Sequence, residues 1–110
     1  MAKLERRLTG NFDHALDVCE RAVMRSASAS FEAGSDYSQN GVRVAVRVYE
    51  RYSILGKNRV SMNVTLAGAG GELFLSAITS GGSQAVLFKI NTLGEESFLD
   101  TLRVAVDTEL

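Results

Sequence analysis

The chain contains no proline, no tryptophan, a single cysteine and a single histidine among its 110 residues. One cysteine excludes an intrachain disulfide, which fits a reducing compartment. The soft metal ligands are then His14, Cys19, Met1, Met24 and Met62, whereas a transition-metal site gathers several such groups at close range. Nowhere do about eighteen apolar residues follow one another, so no membrane-spanning helix is expected. A basic excess is missing too. The net charge of -1 argues against a dedicated nucleic-acid binder. The N-terminal residues Met1 to Arg7 are charged and lack the apolar run of a signal peptide, so the expected location is cytoplasmic. The missing proline and tryptophan point to no function.

What is present is the material of one soluble domain. A hydrophobic fraction of 45% over 110 residues suffices for a single core without covalent staples, so residues 1–110 are read as one domain. The most informative stretch is Val42-Arg43-Val44-Ala45-Val46-Arg47-Val48-Tyr49-Glu50-Arg51. Valines occupy alternate positions and arginines fill most of the slots between them. A strand sends successive side chains to opposite faces, so this segment predicts a long strand with one dry and one basic face.

Residues 3–9 alternate loosely and predict a short strand, which Gly10 and Asn11 end. Asn11 is a good N-cap, and Phe12, Ala15, Leu16, Cys19, Ala22 and Val23 recur at helical spacing, predicting a helix over 12–26. Period two resumes at Ser28, with Ala29, Phe31 and Ala33 on one side of a short strand. Residues 34–41 are polar and end in Asn40-Gly41, a strong turn signal. After the arginine-valine strand, Leu55 to Asn58 turns the chain, and Val60, Met62, Val64 and Leu66 form the next dry face. Gly68 to Gly71 turns it again into a strand with Leu73, Leu75 and Ala77 on one side and Phe74, Ser76 and Ile78 on the other. Ser80 to Ser83 is a further turn, before an alternation of Val86, Phe88 and Ile90 with Leu87 and Lys89. Thr92 and Glu95 fit a capping box, and Phe98, Leu99, Leu102, Val106 and Leu110 predict the buried stripe of a last helix.

Short turns between successive strands imply an antiparallel meander. The predicted fold is a two-layer α+β domain, an antiparallel sheet of about four to six strands with an N-terminal and a C-terminal helix on one face. This order is similar to the TATA-box-binding-protein-like and helix-grip-like folds, a likeness of topology that transfers no function. Glu5 to Gly10, Val42 to Ser53, Asn58 to Ser61 and Ser76 to Phe98 resemble the characteristic segments of a small family of uncharacterised bacterial single-domain proteins. That resemblance covers essentially the whole chain. It implies a bacterial cytoplasmic protein and supplies no site residues.

No motif carries chemistry. Cys19 lies on the apolar stripe, so a core cysteine and a surface histidine explain Cys19 and His14 better than a metal site. A nucleophilic triad would have to use His14, with Asp13 or Asp17 beside it, and nothing constrains its geometry. The glycine-rich segments Gly68 to Gly71 and Ser80 to Ser83 precede strands and lack a following lysine, so they read as hairpin turns rather than phosphate loops. Asn63-Val64-Thr65 matches a glycosylation sequon inside a predicted strand and carries no weight. Arg43, Arg47, Arg51 and Arg59 form the basic set with a common geometry, although Tyr49 is the one aromatic interleaved with them.

Pairing the strands predicts a second sheet face. If Val48 and Leu66 share the dry face, Gly56-Lys57-Asn58 is a three-residue hairpin loop and Tyr49 and Arg51 fall on the other face. That face then carries Ala45, Tyr49, Phe74, Ile78 and Leu87, rimmed by Arg43, Arg47, Arg51 and Lys89. The expected core includes Leu16, Cys19, Val44, Val46, Val48, Val60, Met62, Val64, Leu99 and Leu102. A second face rich in large apolar residues suggests an interface or a ligand groove. The preferred expectation is a non-enzymatic domain, without cofactor or metal, that forms a homodimer with Tyr49, Phe74 or Ile78 near the contact. The alternative is a pocket for a small anionic or amphipathic ligand held by the arginines. A nucleic-acid-binding module is a weaker third.

Overall fold

The helix signal at Asn11 forms as read. Its side-chain carbonyl accepts a hydrogen bond from the His14 N–H at 2.8 Å, satisfying one orphan donor of the first turn. A computed structural model of the chain describes residues 1–53, 58–81 and 88–110, and only the backbone of 53, 58 and 88–93. The order is β1 (Ala2–Thr9), α1 (Phe12–Met24), β2 (Ser30–Gln39), β3 (Val42–Ser53), β4 (Asn58–Ala69), β5 (Glu72–Gly81) and α2 (Phe88–Glu109). The five strands form one antiparallel sheet in the order β1-β5-β4-β3-β2. Strands β2 to β5 are the expected meander, and β1 pairs with the free edge of β5.

Both helices cover the same face, as an α+β two-layer arrangement requires. Ala15, Val18, Cys19, Ala22 and Val23 of α1 and Phe98, Leu99, Leu102, Ala105 and Val106 of α2 are buried. Beneath them lie Leu4, Tyr49, Val60, Met62, Val64, Leu66, Leu73, Leu75 and Ala77, in one apolar cluster that Leu16 borders. Gly68 admits Phe12 to this layer. A Cβ built there would stand 2.8 Å from both the Phe12 ring and a Leu73 methyl. Gly68→Ala should therefore cost about 1–3 kcal/mol, the usual range for overpacking, seen as a lower melting temperature. An unchanged melt would mean that Phe12 has room to move off β4.

The largest departure from the sequence reading is in β3. Ser53 pairs with Asn58, so four residues separate the last pair rather than three. Tyr49 then faces Met62 and Arg51 faces Val60, and every side chain of β3 lies on the face opposite to the expected one. Arg43, Ala45, Arg47, Tyr49 and Arg51 belong to the helix-covered face. Val44, Val46 and Val48 are therefore not core, but half-buried on the uncovered face. Leu73 and Leu75 do join the dry face. The connection is the two residues Gly70 and Gly71, both at positive φ, rather than four residues, and this even change preserves the faces.

Two smaller corrections concern element bounds. Residues 34–39, expected as a polar turn, extend β2 to Gln39, and a bulge between Phe31 and Ala33 puts these two on opposite faces. This edge strand is exposed along most of its length, so it needs no apolar alternation to show itself. At the other end Phe88 and Ile90 open α2 instead of forming a strand, because β1 already occupies the free edge of β5. Thr92 is thus inside the helix and not its cap. Glu95 serves a tertiary role instead: its carboxylate accepts hydrogen bonds from the Gly81 N–H at 3.1 Å and from the Met1 amino group at 2.8 Å. The turn expected at Leu55–Lys57, the Gly82–Gln84 part of the serine-glycine segment, Val86, Leu87 and the side chain of Lys89 lie outside the described residues.

Candidate functional site

The two sheet faces divide the residues that the sequence placed together. On the covered face, Arg43, Arg47 and Arg51 run along the flank of α1. Their steps of four residues on a strand, about 13 Å, roughly match steps of six or seven residues on a helix, about 10 Å. Arg43 donates to both carboxylate oxygens of Asp13, at 2.9 and 3.2 Å, and its guanidinium lies 4.1 Å from the Phe12 ring centre. Arg47 meets Glu20 at 3.4 Å and Asp36 at 3.0 Å, with its side chain only 14% exposed. Arg51 donates to the hydroxyls of Ser26 at 2.7 Å and Ser97 at 3.1 Å, and sits 4.8 Å from the Phe98 ring centre. Partial burial draws the Arg51 pKa below its ordinary value. The arginine stems cover apolar surface while their heads reach the rim, so the face is both dry and basic. Arg43 and Arg47 have carboxylate partners within the fold, and Arg51 has two hydroxyls.

Tyr49 lies among these groups, 2% exposed and edge-on to Phe31 at 5.9 Å between ring centres. Burial, with the charge of Glu20 adding to it, pushes its hydroxyl up to about 12. Asp13 moves the other way. The hydrogen bonds from Arg43 hold its carboxyl below the ordinary 3.8. A carboxyl lowered in the native state stabilises above its unfolded value, and that contribution is lost as pH falls through the lowered native value. The melting temperature of Asp13→Asn should therefore change less than the parent's as pH falls below the ordinary carboxylate value of 3.8. Equal acid sensitivity would mean that the Arg43 pair does not persist in solution.

The uncovered face is where Phe74 and Ile78 lie, as expected, 38% and 39% exposed. Its apolar and aromatic members also include Val42, Val44, Val46 and Val48 of β3, Ala67 of β4 and Tyr37 of β2. The rows run straight across the sheet. Arg7, Phe74, Ala67, Val44 and Tyr37 form one, and Lys3, Ile78, Asn63, Val48 and Ala33 form another two residues further on each side of Glu5, Ser76, Thr65, Val46 and Ser35. The valines, Tyr37, Ala67 and Arg7 were not among the expected site residues. The rough match in length between the Asp13–Glu20 step on α1 and the Arg43–Arg47 step on β3 was the signal that could have turned the arginines inward and the valines outward.

At the hairpin end of the sheet is a hollow of about 790 Å³, lined by Arg7, Val42, Ala67, Ala69, Glu72 and Phe74 of this face together with Leu8, Leu73 and Leu110. Arg7 makes no ion pair among the described residues, whereas Arg6 pairs with Asp107, Arg43 with Asp13, Arg47 with Glu20 and Asp36, and Arg59 with Glu50. Glu50, Arg59 and Glu32 make an ionic cluster at the opposite end. His14 is exposed at the start of α1 and Cys19 is buried under it, so they do not form a common site. Burial pushes the Cys19 thiol up to about 12, with Glu20 reinforcing the shift. No helix among the described residues is long and apolar enough to cross a membrane.

No curated protein matches the chain. A family model described as "Family of unknown function (DUF6054)" matches residues 1–109, which is nearly the full length and agrees with the whole-chain resemblance read from the segments above. The chain belongs to the DUF6054 family.

Proposed function

We propose that the protein is a non-enzymatic domain that associates with a second copy of itself through the uncovered face of its sheet. The observation that carries this reading is the apolar set Val42, Val44, Val46, Val48, Ala67, Phe74 and Ile78 on a face that neither helix covers. Apolar side chains gathered in one patch are the usual mark of a contact surface. Size supports it as well. Ten residues at about 3.4 Å each and five strands about 4.8 Å apart give a face of about 800 Å². A stable pair of proteins buries about 800 Å² on each partner. A bacterial cytoplasmic setting is part of this reading, supported by the segment resemblance and by a lone, buried cysteine. Light scattering at micromolar concentration tests it: the expected mass is that of a dimer, and a strictly monomeric mass would overturn it.

A second reading rests on the hollow beside Arg7. A guanidinium without an ion pair among the described residues, next to Phe74, Val42 and Ala67, suits an amphipathic anion, such as a medium-chain carboxylate. Arg43, Arg47 and Arg51, first considered for that role, are engaged on the other face. If the protein is monomeric, calorimetric titration with decanoate should show saturable binding that Arg7→Gln weakens. No heat from the parent would remove this reading too.

A further inference from the structure

The strand order and the residue rows of the uncovered face specify how two copies would fit together. This step rests on the self-association proposed above and deepens it. A symmetric pair of sheets needs a two-fold axis lying in the plane between them, and the two natural choices run along the strands or across them. Strand β4 is the middle strand of the five. An axis along β4 lays β5 of each copy over β3 of the other, and β1 over β2. Phe74 then meets Val44 of the second copy, and Ile78 meets Val48, so the two apolar strips cover each other. Along the axis itself, Asn63, Thr65 and Ala67 each meet their own copies, and these side chains are small enough for close approach. At each rim Arg7 lies over Tyr37 of the second copy, a cation facing an aromatic ring.

An axis across the strands gives a worse match. It returns each strand onto itself, so β1 lies over β1. About the Glu5 row, Lys3 then faces Arg7 and Glu5 faces Glu5, all like charges. It also brings Ile78 onto Phe74 and Val48 onto Val44, so burial of the apolar strips alone does not distinguish the two axes. Charge does. The β2 rim that β1 meets in the first arrangement presents Ala33, Ser35 and Tyr37, which carry no charge. We infer that the protein forms a face-to-face dimer whose two-fold axis runs along β4, with β3 packed on β5 of the second copy and Arg7 over its Tyr37.

Single-cysteine scanning of β4 tests this. Cys19 is 2% exposed, so the parent has no reactive thiol to confuse the result. Asn63→Cys, Thr65→Cys and Ala67→Cys are each treated in the folded state with a bis-maleimide of short span. An axis along β4 places all three positions beside their own copies, and all three variants should be trapped as covalent dimers. An axis across the strands through Thr65 leaves Asn63 and Ala67 each about 14 Å from their copies, so trapping at Thr65 alone would overturn the inference. A dimeric mass with no trapping at any position would also overturn it, and with it the uncovered face as the contact, leaving only self-association through another surface. A monomeric mass of the parent would remove both this arrangement and the reading beneath it.

Discussion

Replacing Phe74 with aspartate should leave the chain folded and convert a self-associated species to monomers. Phe74 is 38% exposed on the uncovered face, opposite Ala67. A charge there stays hydrated in the monomer, and in a face-to-face pair it would be buried against the valines of the second copy. Buried aromatic anchors of this kind are worth about 2 kcal/mol or more, about thirtyfold in Kd. The expected result is a monomeric mass by light scattering, with unchanged far-ultraviolet circular dichroism. If the variant keeps the parent's dimeric mass, the sheet face is not the contact. If it unfolds, Phe74 is core, and the face assignment of β5 is wrong.

The second large effect separates the two faces by stability. Leu102 is fully buried between α2 and the sheet, so Leu102→Ala should leave a cavity and cost about 2–5 kcal/mol. For a domain of this size that is a fall of about 10 °C or more in melting temperature. Val46→Ala should behave differently. The valine is half-buried on the uncovered face, so the variant's monomer should lose less than about 1 kcal/mol. Because association raises apparent stability, both variants are compared in the Phe74→Asp background at one concentration. Equal losses would return the valines of β3 to the core, and with them the inverted register.

Much of this architecture was readable along the chain. Helix α1 announced itself through Asn11 and a stripe of apolar residues at helical spacing, and the stripe of α2 through Phe98, Leu99 and Leu102. The alternation in β3, β4 and β5 made them strands, and Asn40-Gly41 placed a hairpin where the structure has one. Each of these signals is local: a cap, a period or a turn residue acts within a few positions. The edge strand β2 and the start of α2 escaped because their bounds are not local. One follows from a strand with little to bury, the other from β1 taking the free edge of β5.

The candidate surface depended on a choice that no local signal makes. In β3 the two alternating sets are valines and arginines, and hydrophobicity alone sends the valines inward. Tertiary structure decided otherwise. The four-residue separation between Ser53 and Asn58 sets the parity of the β3–β4 pair. Asp13 and Glu20 on α1, with Phe12 and Phe98 beneath the guanidiniums, give Arg43, Arg47 and Arg51 partners on the covered side. The sequence by itself thus determined the elements, their order and the α+β class. Which side of β3 faces the helices, and hence which residues form the uncovered apolar face, was decided by ion pairs and stacking between segments about thirty or more residues apart. Period two describes both faces of a strand equally, and only the partners across space tell them apart.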